Sequence, residues 1–205
     1  MAVLTTQRAD ADAAPVAVAD DPLDDPIAEL VDLAIRLGTR CDALGLRVAT
    51  VESCTGGLVG HLITEVPGSS AYYVGGFVTY SDALKREVVG VPDDVLAAHG
   101  AVSAQVAMAM ATGGRARTGA DLAVSITGIA GPDGGTASKP VGLTYVAVAD
   151  VVGVAVRRHV WSGDRGENKR RGAAAALGLL LERVEAASAT ARSDEPPAPP
   201  TPERA

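Results

Sequence analysis

A chain of 205 residues, 47% apolar, is long enough to bury one ordinary core without staples. Its net charge of −7 is uneven: the first 25 residues hold six Asp against Arg8, and the segment between the two tails carries only about −1. Six aromatic residues and no basic face argue against nucleic-acid binding, and no apolar run approaches the length of a membrane span.

Residues 1–24 are Ala- and Asp-rich without periodicity and read as an acidic mobile tail, as do the Pro-rich residues 189–205. The folded domain is expected over 25–188. It opens on a helix: Asp25 can cap, Pro26 suits the first helical position, and Ile27, Leu30, Val31, Ala34, Leu37 and Cys41 recur at helical spacing. "RVATVE" reads as a short buried strand, "ESCTGG" as a sharp bend, and "GGLVGHLITEV" as a second helix stopped by "PGSS". "AYYVGGFVTY" is a second strand, with Gly75 and Gly76 marking a bulge or a close backbone approach.

Three helical pieces follow: 82–89 capped by Ser81, 92–98 started by Pro92, and a longer one from Ser103 to near Gly119. "DLAVSIT" is a third strand and "GIAGPDGGTASKP" a long Gly-rich loop. "VGLTYVAVAD" and "GVAVRRHVW" pair through a tight turn at 150–153, and a final helix covers 165–188. Strands alternating with helices, plus one adjacent pair, predict an α/β fold: a three-layer α/β/α sandwich around a mixed sheet of about five or six strands.

Four stretches can carry chemistry. At "ESCTGG" a strand turns directly into a helix, so free N–H groups face the bend, and Ser53, Cys54 or Thr55 can present a nucleophile there; a plain helix cap and tight turn explain the same residues. Lys85 in "TYSDALKRE" is the better base by context than His61, His99 or His159. An ordinary lysine is neutral only about one part in 2,500 at pH 7, so a base role demands burial. Thr127 stands at the end of the third strand, the edge at which open α/β sheets bind ligands. In "SGDRGENKRRG", Asp164 and Glu167 suit a capping box, while Arg165, Lys169, Arg170 and Arg171 crowd a helix end that is already positive, as an anionic ligand or plain solvation would explain. Cys41 and Cys54 show neither metal-ligand nor disulfide spacing, which fits reduced thiols in a cytoplasm.

Taken in order, "ESCTGG", "PGSSAYYVGGFVTYSDALKREVVGV", "HGAVSAQVAMAMA", "DLAVSITGIAGPDGGTASKPVGL" and "SGDR" resemble the CinA C-terminal domain family from about residue 28 to 187. The stand-alone members of that family are nicotinamide mononucleotide amidases. The resemblance implies the short form, without the molybdopterin-binding-like domain that precedes it in two-domain members. It further implies hydrolysis of the nucleotide's carboxamide to nicotinate mononucleotide and ammonia, in pyridine-nucleotide salvage, with no metal and no cofactor.

By position the resemblance implies Ser53 as nucleophile, Lys85 as base and Thr127 as a third catalytic group. Arg165, or its neighbour Arg170, is implied for the phosphate, and Thr55, Gly56, Gly57, Tyr80 and Gly128 for substrate contact. N–H groups at the bend, with the Thr127 hydroxyl, are expected to hold the oxyanion, and the loop at 128–140 to line the pocket. Val51 stands where the family commonly has Ala, away from the reactive groups. The family also suggests a homo-oligomer, with a dimer as first expectation. The competing readings are a nucleotide sensor that binds without cleaving, and a competence-related interaction module, for which the charge distribution offers no support.

Overall fold

Val48–Glu52 (β1) is buried at all five positions, as a strand flanked on both edges and covered on both faces must be. In the computed structural model, which describes residues 27–193, β1 lies parallel to both Tyr73–Val78 (β2) and Leu122–Gly128 (β3). Beyond β3 the sheet turns antiparallel through Leu143–Ala149 (β4) and Val154–Val160 (β5), giving the order β2-β1-β3-β4-β5. The expected mixed sheet has five strands.

Helices cover both faces. Ala28–Leu44 (α1), Leu58–Thr64 (α2) and Arg165–Ser193 (α6) bury Leu37, Leu62, Leu177 and Leu180 against Val124, Ile126 and Val146. On the other face Asp82–Val89 (α3), Asp93–His99 (α4) and Ala104–Thr118 (α5) enclose Val89, Leu96, Val106 and Met110 with Val51. Each fully buried Leu or Met of these layers contributes about 1.5–3 kcal/mol. Among the described residues no helix is long and apolar enough to cross a membrane.

Most element ends obey local chemistry. Ser81 accepts from Leu84 N at the start of α3 and Ser103 from Val106 N at the start of α5, while Gly90 and Gly119 close those helices in the left-handed region. Pro92 sits just before α4 and not within it. The pair Gly75–Gly76 does both things foreseen for it. The β1–β2 register slips between Val48 and Ala49, and a Cβ on Gly76 would lie 2.0 Å from Thr50 Oγ1.

Two differences concern ends. Asp25 and Pro26 lie outside the described residues, as do both tails apart from 189–193; α1 starts at Ala28, with no side-chain cap from Ile27. The last helix, expected to stop at 188, runs to Ser193, because the Ala-rich stretch 186–191 favours helix and the first breaker in the sequence is Pro196.

Tight packing of α5 yields a stability prediction. A Cβ on Gly113 would come 1.7 Å from the Val89 carbonyl oxygen, a backbone atom that no rotamer change can move, whereas nothing lies within 4 Å of the same position on Gly178. Gly113→Ala should therefore lower stability by about 3 kcal/mol, while Gly178→Ala should raise it by about 0.5–1 kcal/mol. Urea unfolding midpoints of the two variants measure this, and equal midpoints would contradict it.

Candidate active site

The three parallel strands end at one edge of the sheet, and their last residues supply the site. Ser53 follows β1 directly and is held by its N–H, which donates to Ile126 O at 3.0 Å, so the β1–β3 ladder runs one residue into the bend. Thr79 N–H donates to Glu52 O at 2.8 Å and extends the β1–β2 ladder in the same way. Lys85, on α3, reaches back into this corner and is 1% exposed.

The Lys85 amine has three neighbours: Ser53 Oγ at 3.1 Å, Thr79 O at 2.9 Å and Tyr80 O at 3.2 Å. Burial lowers its pKa from the ordinary lysine value, opposed by the nearby acids Asp82 and Cys54. The three N–H groups of an ammonium would meet all three oxygens; a neutral amine would keep the two carbonyls and turn its lone pair to the serine hydroxyl.

These groups open on a cavity of about 260 Å³. Ser53, Cys54 and Lys85 line it together with Thr127 and Gly128 from β3, Ala101 and Val102 from the α4–α5 connection, and Asp133 and Gly134 from the Gly-rich loop. Tyr80 and Arg165 also line it; Arg165 donates to Gly131 O at 2.9 Å and lies 3.5 Å from the Tyr80 hydroxyl. Ser53, Lys85, Thr127, Tyr80, Gly128 and Arg165, spread over 113 residues of sequence, thus share one cavity.

The other candidates stand apart from it. Thr55 is 1% exposed and turned beneath the bend toward α6, where a Cβ on Gly172 would lie 3.9 Å from its methyl. Gly56 (φ +66°) and Gly57 (φ +101°) shape the turn, and the Gly57 N–H is already used. Arg170 lines a neighbouring depression with Pro132, Val141 and Gly166, which it shares with Arg165. His61 and His99 are exposed and His159 stacks on Trp161 at 4.7 Å; none of the three lines the cavity.

Two expected electrostatic details differ. The N–H groups of Gly57, Val59 and Gly60 do not point at a ligand, because the Glu52 carboxylate accepts all three at 3.0, 3.1 and 2.8 Å. The Thr127 hydroxyl donates to Ala101 O at 2.9 Å, so toward the cavity it has lone pairs and no proton to offer. At the bend, the Cys54 N–H lies against its own thiol and the Thr55 N–H has no acceptor among the described residues.

Two buried polar residues escaped sequence reasoning. Glu52 is one, although an acid closing an otherwise apolar strand was a signal. Asn168 is the other: 3% exposed, it donates to Ala130 O at 3.1 Å and Gly163 O at 2.8 Å and accepts from Gly163 N at 3.0 Å, which joins the start of α6 to the Gly-rich loop and so sets Arg165 at the cavity. Asp164 forms its half of the capping box, accepting from Glu167 N at 2.8 Å, while the Glu167 carboxylate pairs with Arg171.

The sequence profile of the CinA C-terminal domain matches residues 31–184. Among curated proteins, the nicotinamide-nucleotide amidohydrolase PncC of Escherichia coli is 47% identical over 156 residues, 76% of this chain and 94% of that protein. A CinA-like protein of Chloroherpeton thalassium is 45% identical over 174 residues, and there the chain spans only 39% of the relative's length. The crystal structure of the competence/damage inducible protein CihA from Agrobacterium tumefaciens superposes with a TM-score of 0.72 at 43% identity, covering 75% of this chain and 94% of that one. A CinA superfamily protein from Klebsiella pneumoniae gives 0.73 at 33% identity, covering 76% and 98%. With three quarters of its length matched by that profile, the chain belongs to the CinA C-terminal domain family.

Proposed function

We propose that this chain is a hydrolase that cleaves the carboxamide of nicotinamide mononucleotide, giving nicotinate mononucleotide and ammonia, and that it serves pyridine-nucleotide salvage in the cytoplasm, where Cys41 and Cys54 remain free thiols. The observation that carries this is the buried Lys85 amine 3.1 Å from the Ser53 hydroxyl, at the floor of a cavity with Arg165 among its lining residues. The PncC relative, named for the same activity, supports it.

In this proposal Lys85 takes the Ser53 proton as the serine oxygen attacks the amide carbon. The oxyanion falls to the N–H groups of Cys54 and Thr55; each such donor is typically worth about a hundred- to a thousandfold in rate. Thr127, whose own proton is given to Ala101, accepts from the carboxamide N–H₂ and so orients the leaving group. Lys85 returns its proton to the departing nitrogen, ammonia leaves, and water cleaves the acyl-serine with Lys85 again as base. Arg165 binds the phosphate. A homo-oligomer is part of the same proposal.

The purified chain, given nicotinamide mononucleotide, should release ammonia and nicotinate mononucleotide in equal amounts, read by a coupled ammonia assay and chromatography. Thermal stabilisation by the nucleotide with no ammonia released would instead support a sensor that binds without cleaving. Arg165→Ala should raise KM for the mononucleotide about ten- to a hundredfold, the loss of one charge-assisted contact, with kcat little changed. Nicotinamide riboside, which lacks the phosphate, should show no such change in KM; an equal rise for both substrates would remove Arg165 from the phosphate.

A further inference from the structure

Glu52 takes no part in the proton transfers above, yet it is 2% exposed and next in sequence to the nucleophile. A buried carboxylate is costly unless hydrogen bonds replace its water. Here Oε2 accepts from Gly57 N–H and Val59 N–H at 3.0 and 3.1 Å, and Oε1 accepts from Gly60 N–H at 2.8 Å. Amides at the start of a helix have no helical acceptors and need some partner. The N-cap of α2 is Gly57, which has no side chain to serve, so the cap comes from across the bend.

The side chain therefore works as a strut. One end is the last residue of β1, the other grips the first turn of α2, and Ser53–Gly56 arch between them. The backbone of residue 52 is fixed too, its carbonyl accepting from Thr79 N–H at 2.8 Å. Lys85 is held from a different direction, by the carbonyls of Thr79 and Tyr80. The 3.1 Å between amine and hydroxyl is thus the meeting of two groups that share Thr79 as a backbone anchor, and on the serine side the strut that ties bend to helix is Glu52.

We infer that Glu52 is a positioning residue that holds Ser53 against Lys85 by clamping the first turn of α2, an inference that rests on the serine–lysine reading. With three of its amides already given to a carboxylate, that helix end is a poor seat for the substrate phosphate, which leaves the anion to Arg165.

Glu52→Gln tests it. Glutamine keeps the shape but brings a donor where a carboxylate oxygen accepted, so at least one of the three amides loses its partner. In a crystal structure of the variant the distance from Ser53 Oγ to Lys85 Nζ should exceed about 3.5 Å, the limit of a hydrogen bond. Turnover of nicotinamide mononucleotide should fall about a hundredfold in kcat with KM within about threefold, as misplacement of a reacting group by about 1 Å does. Glu52→Asp, which keeps both acceptor oxygens on a shorter stem, should recover part of that kcat, and it carries the same distance measurement if the glutamine variant does not fold.

A dyad separation unchanged at 3.1 Å would overturn the inference whatever the activity, as would lower stability with native kcat. A native chain that releases no ammonia would reject the amidase and leave the distance criterion to decide on Glu52.

Discussion

A Ser53→Ala chain is expected to release ammonia from nicotinamide mononucleotide at least about a thousandfold more slowly than the native protein, whereas Cys54→Ala should keep most of the turnover. Alanine removes the hydroxyl that lies 3.1 Å from the Lys85 amine and leaves whatever rate the oxyanion donors and binding alone provide. The neighbouring thiol is the natural rival, since thiolates are strong nucleophiles. Its surroundings exclude it: burial, helped by Glu52, pushes the Cys54 thiol up to about 12, a rise that its own backbone N–H, Lys85 and Lys169 only partly offset. At that value only about one thiol in 100,000 is ionised at pH 7. Its side chain also packs against the apolar cluster beneath α1, α2 and α6. Ammonia assays on both variants, with intact-mass detection of an acyl adduct, make the comparison; the reverse ranking would move the nucleophile to Cys54.

Lys85→Met should be nearly as damaging, about a thousandfold in kcat, within the range for loss of a general base. It should also change two pH profiles. As the proposed base, Lys85 must be unprotonated, so kcat/KM should climb with pH through its pKa in the folded protein, which burial places below the ordinary 10.5; the methionine variant should lack that limb. Stability follows by linkage. Between the folded value and 10.5 the unfolded chain binds a proton that the folded chain does not, so the Lys85 contribution to stability rises with pH across that window. Cys41, Cys54, Tyr72 and Tyr73, all raised by burial, act in the opposite sense at alkaline pH. The difference between native and variant unfolding midpoints isolates the lysine. A pH-independent difference would mean that Lys85 is not a desolvated amine.

The periodic part of this protein was readable from its residues. Apolar spacing, Ser81, Ser103 and Gly119 placed most helices within a residue or two, because their signals lie within one turn of the element they bound. The pairing of Ser53 with Lys85 came from resemblance and not from pattern: 32 residues separate them, and no local rule says which way a bend will turn one side chain toward a helix on another layer. Thr55 shows the limit. Two positions beyond Ser53, it belongs to the same motif, yet the backbone at the bend buries its side chain with the methyl toward α6, and it does not line the cavity. Arg165 and Arg170 could not be ranked from spacing, since the ranking depends on Asn168 joining the helix start to a loop 38 residues away. Thr127 was expected at the end of the third strand and lies there, lining the cavity, while the direction of its hydrogen bond depends on Ala101 of a remote connection.

The Gly-rich loop that roofs the cavity is fastened at its far end by a single side chain: Lys139 Nζ donates to His99 O, the last carbonyl of α4, at 2.7 Å, and Thr136 N donates to Lys139 O at 2.8 Å to close the turn beside it. Its near end is held differently, by the buried Asn168 at Ala130 O and by Arg165 at Gly131 O. The loop is thus pinned from the core on one side and from the water on the other, and Lys139→Met should loosen the outer end first while leaving Ser53 and Lys85 where they are.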